Sequence, residues 1–180
     1  MPIASGDILV KLSAPAGTVG NGTAQASVDA SLGKYMSSTQ LTNNTLHNLF
    51  TAMTGDNNAG QIHDYRCIFF HNNHASLSMI SPRVWISSEV AGGADTYIGL
   101  DPSGVSSATN AQNQATFTTL TTGIPAGVTF TNPTVKISGL APADVPASSC
   151  FAIWVKRFAN NSVAVNSDGA TLKIEFDTEA

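Results

Sequence analysis

At 180 residues the chain can bury one substantial core but is too short for two full domains. A formal net charge of -4 without any basic run excludes an electrostatic footprint for nucleic acid. No window approaches the roughly 18 uninterrupted apolar residues of a membrane span, and MPIASGDILVKL lacks the basic and apolar regions of a signal peptide, so a soluble, unexported chain is expected.

Asp7 to Ser13 (DILVKLS) alternates apolar and polar positions and predicts the first strand. From Ala14 to Gly33 the chain is Ala, Gly, Ser, Thr and Asn with few apolar anchors, a composition that cannot order itself and predicts an extended arm pinned by a neighbouring subunit. Thr42 to Met53 places Leu46, Leu49, Phe50 and Met53 at helical spacing, with Thr42 or Asn43 as N-cap and Gly55 as terminator, so a helix is expected over 42–53. Tyr65 to Phe70 and Ala75 to Ile80 flank Asn72-Asn73, which predicts a hairpin with Ile68, Phe70, Ala75, Leu77 and Met79 on one face and Cys67, Phe69, His71, His74, Ser76 and Ser78 on the other. Val84-Trp85-Ile86 starts the next strand after Pro82.

Further on, Thr96 to Leu100 is followed by a turn at Asp101-Pro102-Ser103-Gly104, and short runs at 115–120, 128–131 and 134–137 are separated by Gly and Pro. Cys150 to Phe158, Val163 to Val165 and Thr171 to Phe176 complete the strand pattern. Short strands with turn signals between them predict a mainly β protein: an antiparallel β-sandwich, jelly-roll or Ig-like, with one α-helix and an extended N-terminal arm. The expected division is a strand and arm over 1–33 and a single sandwich domain over 34–180.

Sites for chemistry are sparse. His71 and His74, paired across the predicted turn, would have β-carbons about 5 Å apart. Cys67, four residues from His71 along the strand, lies roughly 13 Å away and cannot share an ion with it. Polar turn histidines are the simpler reading, and no metal or cofactor is expected. Asp56, Asn58 and Gly60 echo the start of a calcium loop, but a glycine stands at its fifth position and Cys67 at its twelfth, so the pattern fails. No carboxylate pair, nucleophile elbow, zinc helix or phosphate loop is present. Cys67 and Cys150 sit in apolar runs and read as two buried thiols rather than a disulfide. Trp85 and Trp154 read as core, although with Tyr35 and Tyr97 they could instead line a sugar-binding face. Charged residues make up 11% of the chain, against roughly 25% in ordinary globular proteins. A surface poor in Lys and Glu resembles one covered by other protein, though a weakly charged small-residue β-protein has the same composition.

The passage NLFTAMTGDNNAGQIHDYRCIFFHNNHASL, together with IWVKRF and NSDGATLKIEF, resembles a group of tailed-bacteriophage and prophage virion proteins. The resemblance covers roughly half the chain and carries no functional residues across. It implies a non-enzymatic structural role in a virion, assembled after synthesis in the host cytoplasm. Composition agrees with a structural role, and a decoration or cement protein on the capsid exterior is expected, with the major capsid protein as partner and a dimer or trimer of its own. Nucleic acid and membrane are not expected partners. The strand and arm from Ile8 to Gly33 are placed on the capsid or a sister subunit, and the candidate contacts are Ile8, Val10, Lys11, Leu12, Arg66, Lys156 and Arg157. A neck or tail component and a carbohydrate-binding adsorption module are the alternatives; an enzyme would need a cleft joining His63 and Asp64.

Overall fold

A computed structural model describes residues 2–15, 23–107, 115–118 and 120–178. Its strands are β1 (Ile8–Ala14), β2 (Gly33–Gln40), β3 (His63–Asn72), β4 (Met79–Glu89), β5 (Asp95–Ser107), β6 (Ala115–Phe117), β7 (Ser149–Phe158) and β8 (Ala170–Thr178), with one short helix, α1 (Gly55–Ala59). They form two antiparallel sheets, a six-stranded one in the order β5-β7-β3-β1-β2-β6 and the pair β4-β8. The chain is a β-sandwich.

The apolar run of β3 follows from its place between β1 and β7, where both faces are covered. Ile68 and Phe70 enter the core between the sheets, with Leu12, Met79, Val84, Ile86, Ile98, Phe151 and Ile153. Cys67 and Phe69 point the other way, into a second cluster with Met36, Cys150, Ala152 and Trp154 that Val128 and Phe130 help to cover. This alternation is the one the sequence predicts for the strand, and the buried Trp85 and Trp154 match the core reading.

The predicted hairpin does not form. β1 takes the edge of β3 that the hairpin would have used, with Leu12 facing Ile68, Val10 facing Phe70 and Ile8 facing Asn72, while β7 takes the other edge. Asn72 serves as a bracket instead of a turn: its side-chain amide donates to the carbonyls of Leu77, Val145 and Pro146 at 2.8, 3.1 and 3.2 Å. The chain then crosses to the other sheet, where β4 pairs with β8. Pro82 falls inside β4, at the irregularity between Ile80 and Arg83 where the ladder needs no donor from it.

The helix expected over 42–53 is also absent. Asn44 and His47 adopt positive φ of 54° and 60°, which no α-helix accommodates. Thr45 and Asn48 turn their side chains back to the carbonyls of Asn43 and Thr42, a local competition with helical hydrogen bonds. Leu49 and Phe50 reach the inter-sheet core from this irregular segment, while Leu46 is exposed. α1 follows instead, with the Thr54 hydroxyl accepting from the Asn57 amide as N-cap.

The N-terminal arm expected over 14–33 is described only in part. β1, the strand before it, lies between β2 and β3 inside the large sheet. Residues 16–22 of the expected arm lie outside the described residues. From Thr23 to Gly33 the segment is held by its own chain: Gln25 Nε2 donates to the Ser13 and Ala30 carbonyls, and Ser31 Oγ donates to the Cys67 carbonyl at 2.6 Å. The buried Ser13 and Ser31 supply polar bonds beside the segment's few apolar anchors, Val28 and Leu32.

Past Ser107, the expected strands at 128–131 and 134–137 are replaced by an irregular strap that closes two sheet edges. Thr131 exchanges hydrogen bonds with Ile98 of β5, Leu140 with Val84 and Val145 with Met79 of β4. The predicted turn at 101–104 is a register irregularity within β5, where Gly104 takes φ 73°. The expected run at 163–165 forms no strand.

Candidate functional site

Cations proposed as contacts are largely drawn into the protein. Arg66, on β3, is buried and ion-pairs with Asp29 of the 23–33 segment, while its other terminal nitrogen donates to the Tyr65 carbonyl. Arg157, on β7, pairs with Asp64 of β3 at 2.6 Å and donates to the Thr51 carbonyl at 2.7 Å. Phe50 lies beside both guanidinium groups, 5.2 Å from Arg66 and 4.7 Å from Arg157. This cluster staples segments 23–33 and 41–54 to the large sheet, so two irregular stretches gain fixed positions from two arginines and one ring.

Lys156 lies over the Tyr97 ring at 3.9 Å, with Phe130 beyond it. Lys11 is buried on β1, and burial lowers the pKa of its ammonium. Leu12 is in the inter-sheet core, and Ile8 and Val10 pack at its margin. Of the seven candidate contact residues, Lys11, Leu12 and Arg66 are thus covered by this chain's own residues. The other four are half-buried.

Lys11 neighbours His71 and Cys150 electrostatically. Burial, reinforced by the Lys11 charge, pushes the His71 imidazole down to about 4, and burial pushes the Cys150 thiol up to about 12 against the opposing pull of Lys11. Neutral imidazole and protonated thiol are the stable forms here near neutral pH. Neither has the character of an activated nucleophile. Cys67 and Cys150 are not joined in a disulfide, as the sequence predicts, and the Cys67 thiol is held far above its ordinary range by burial.

His74 does not meet His71 across a turn; its Nδ1 accepts from the Ser76 and Leu77 amides. His63 stacks on Phe158 at 4.6 Å, while its neighbour Asp64 is committed to Arg157. Asp56 and Asn58 lie in α1, where Asn58 Nδ2 donates to the Ser162 carbonyl. Among the described residues no three His, Cys, Asp or Glu side chains are gathered as metal ligands.

The buried polar centre that sequence reading missed is Asp101. Its carboxylate accepts from Trp154 Nε1 at 2.8 Å, from the Thr116 amide at 2.8 Å and from the Ser103 amide at 2.9 Å, with the Ser103 hydroxyl adding a fourth contact. An aspartate in an Asp-Pro-Ser-Gly turn signature gives no hint of a tryptophan 53 positions away. These bonds link β5, β6 and β7, so Asp101 is a structural anchor.

Leu46, Leu120, Ile124, Val135, Ile137 and Val163 are exposed outside the strands. A shallow depression beside β4 is lined by Arg83, Lys136 and Ile137. Next to it Glu175 of β8 pairs with Lys136 at 3.0 Å and Lys173 at 2.8 Å, which holds its carboxyl below the usual range. Comparison with known protein families, with curated proteins and with solved structures finds no match.

Proposed function

We propose that this chain is a non-enzymatic structural protein of a tailed-phage virion that binds the outside of the capsid as a decoration or cement protein. The observation that carries the reading is the way charge is distributed. The chain has only 8 Lys and Arg, and Lys11, Arg66 and Arg157 are buried or engaged internally, while apolar side chains remain exposed in the loops. Such a surface is suited to being covered by protein. The resemblance of the 48–77 passage and the C-terminal strands to virion proteins supplies the partner class, by analogy.

The mechanism is linkage. A protein that binds a surface present only in the assembled shell stabilises that shell in proportion to its occupancy. The contact surface belongs to the exposed loop residues, not to β1 or the buried arginines. A sugar-binding alternative requires exposed coplanar aromatics; Trp85 and Trp154 are buried and Tyr35 and Tyr97 half-buried, so that platform is missing. The test is co-sedimentation of the purified chain with capsids lacking it: saturable binding is expected, and binding to tails or necks with none to shells would overturn the capsid assignment.

A further inference from the structure

β8 forms one edge of the smaller sheet, and its hydrogen-bonding directions can be worked out. On β4, Val84 and Ile86 direct their backbone groups toward the strap: Val84 N–H donates to Leu140, Leu140 donates back to Val84, and Ile86 N–H donates to Pro133, at 3.0, 2.8 and 2.8 Å. Their partners across the ladder are Ile174 and Leu172. In an antiparallel pair, facing residues turn their backbone groups either both toward or both away from each other. Ile174 and Leu172, and with the period of two Phe176, therefore present N–H and C=O at the far edge of β8. Among the described residues no backbone hydrogen bond reaches that edge over 171–178.

The side chains along this edge are self-complementary. Leu172, Ile174 and Phe176 line the core side and are only half-buried, while Lys173, Glu175 and Asp177 alternate with them. Turning a second copy about a twofold axis through Ile174 sets Ile174 against Ile174, Leu172 against Phe176, Lys173 against Glu175 and Thr171 against Asp177. Apolar residues then meet apolar residues on the inner face, and opposite charges meet on the outer. Those pairs containing Leu172, Ile174 and Phe176 are the ones whose free backbone groups face outward, so the register satisfies both backbone and side chains. Charges on an edge strand commonly deter pairing. Here their order favours one partner, an antiparallel copy of the same strand.

We propose that two copies of this chain pair through β8, antiparallel about Ile174, joining their small sheets into one continuous sheet β4-β8-β8-β4. The interface is isologous and closes at two copies. It does not depend on what the virion partner is.

Sedimentation of the purified full chain over rising concentration tests this without any capsid. A concentration-dependent dimer is expected. Lys173→Glu places like charges opposite each other at both symmetric positions and should raise the dissociation constant on the order of tenfold. The swap Lys173→Glu with Glu175→Lys should restore it, because the cross-strand pairs become opposite again. Both side chains are more than a third exposed, and urea midpoints of the variants check that the fold is retained. A wild-type chain that stays monomeric through the millimolar range overturns the proposal, as does a dimer indifferent to Lys173→Glu or one that the swap fails to restore.

Discussion

Asp101 shows how much one side chain can hold. Replacing it with Ala removes the acceptor of the buried Trp154 indole and of two backbone amides, each unsatisfied donor costing about 1–3 kcal/mol. Urea denaturation should show Asp101→Ala less stable by about 2–4 kcal/mol, with Asp101→Asn losing less because the amide retains an acceptor. His71 makes a prediction in pH. Its folded pKa of about 4 lies below the unfolded value near 6.5, so the unfolded chain binds more protons between these limits. Stability from this residue is present above about pH 6.5 and is lost as pH falls toward 4, on the order of 3 kcal/mol in all. Denaturation at pH 7 and at pH 4.5 should show a pH dependence that His71→Gln reduces; an unchanged slope would contradict the assignment. At this scale the sequence disclosed apolar burial and the absence of a disulfide between Cys67 and Cys150. It concealed the pairings of Asp101 with Trp154, Arg66 with Asp29 and Arg157 with Asp64, because each joins residues far apart in the chain.

Elements were legible where their pattern is strong and central. β1, β7 and β8 follow the predicted runs, since alternation or unbroken apolar character leaves few other choices for them. The hairpin and the helix failed for a common reason: local signals at Asn72-Asn73 and at Leu46–Met53 were overridden by tertiary partners, β1 in one case and the Leu49-Phe50 core contact in the other. β2, with the sequence GKYMSSTQ, carries too weak a pattern to announce itself and forms because β1 offers it an edge. The strap is a sharper test of element packing. A β-carbon at Gly99 would lie 2.5 Å from Val128 Cγ1 and 2.7 Å from the Thr129 carbonyl oxygen. Gly99→Ala should therefore push 128–131 away from β5, weaken the Ile98–Thr131 bonds and cost about 1–3 kcal/mol in a denaturation measurement. A neutral result would mean that the strap does not close that edge.

For the whole molecule, the sandwich gives a body with exposed loops, and two of its eight cations, Arg66 and Arg157, hold irregular segments in place. Of the candidate contacts chosen from composition, Lys11, Leu12 and Arg66 are buried, because charge sequence does not reveal which cations the chain keeps for itself. The proposed contact passes to the exposed apolar residues. Ile124→Glu should leave the unfolding midpoint nearly unchanged, within about 0.5 kcal/mol as expected of a surface position, while weakening shell binding if that loop is in the contact. The central claim is that this protein stabilises an assembled shell by binding its exterior, and calorimetry of capsids lacking it, with and without saturating protein, tests it most directly. The account predicts that the shell transition moves to higher temperature in step with occupancy. A transition that stays in place at full occupancy, or a shell that binds none of the protein, would contradict it.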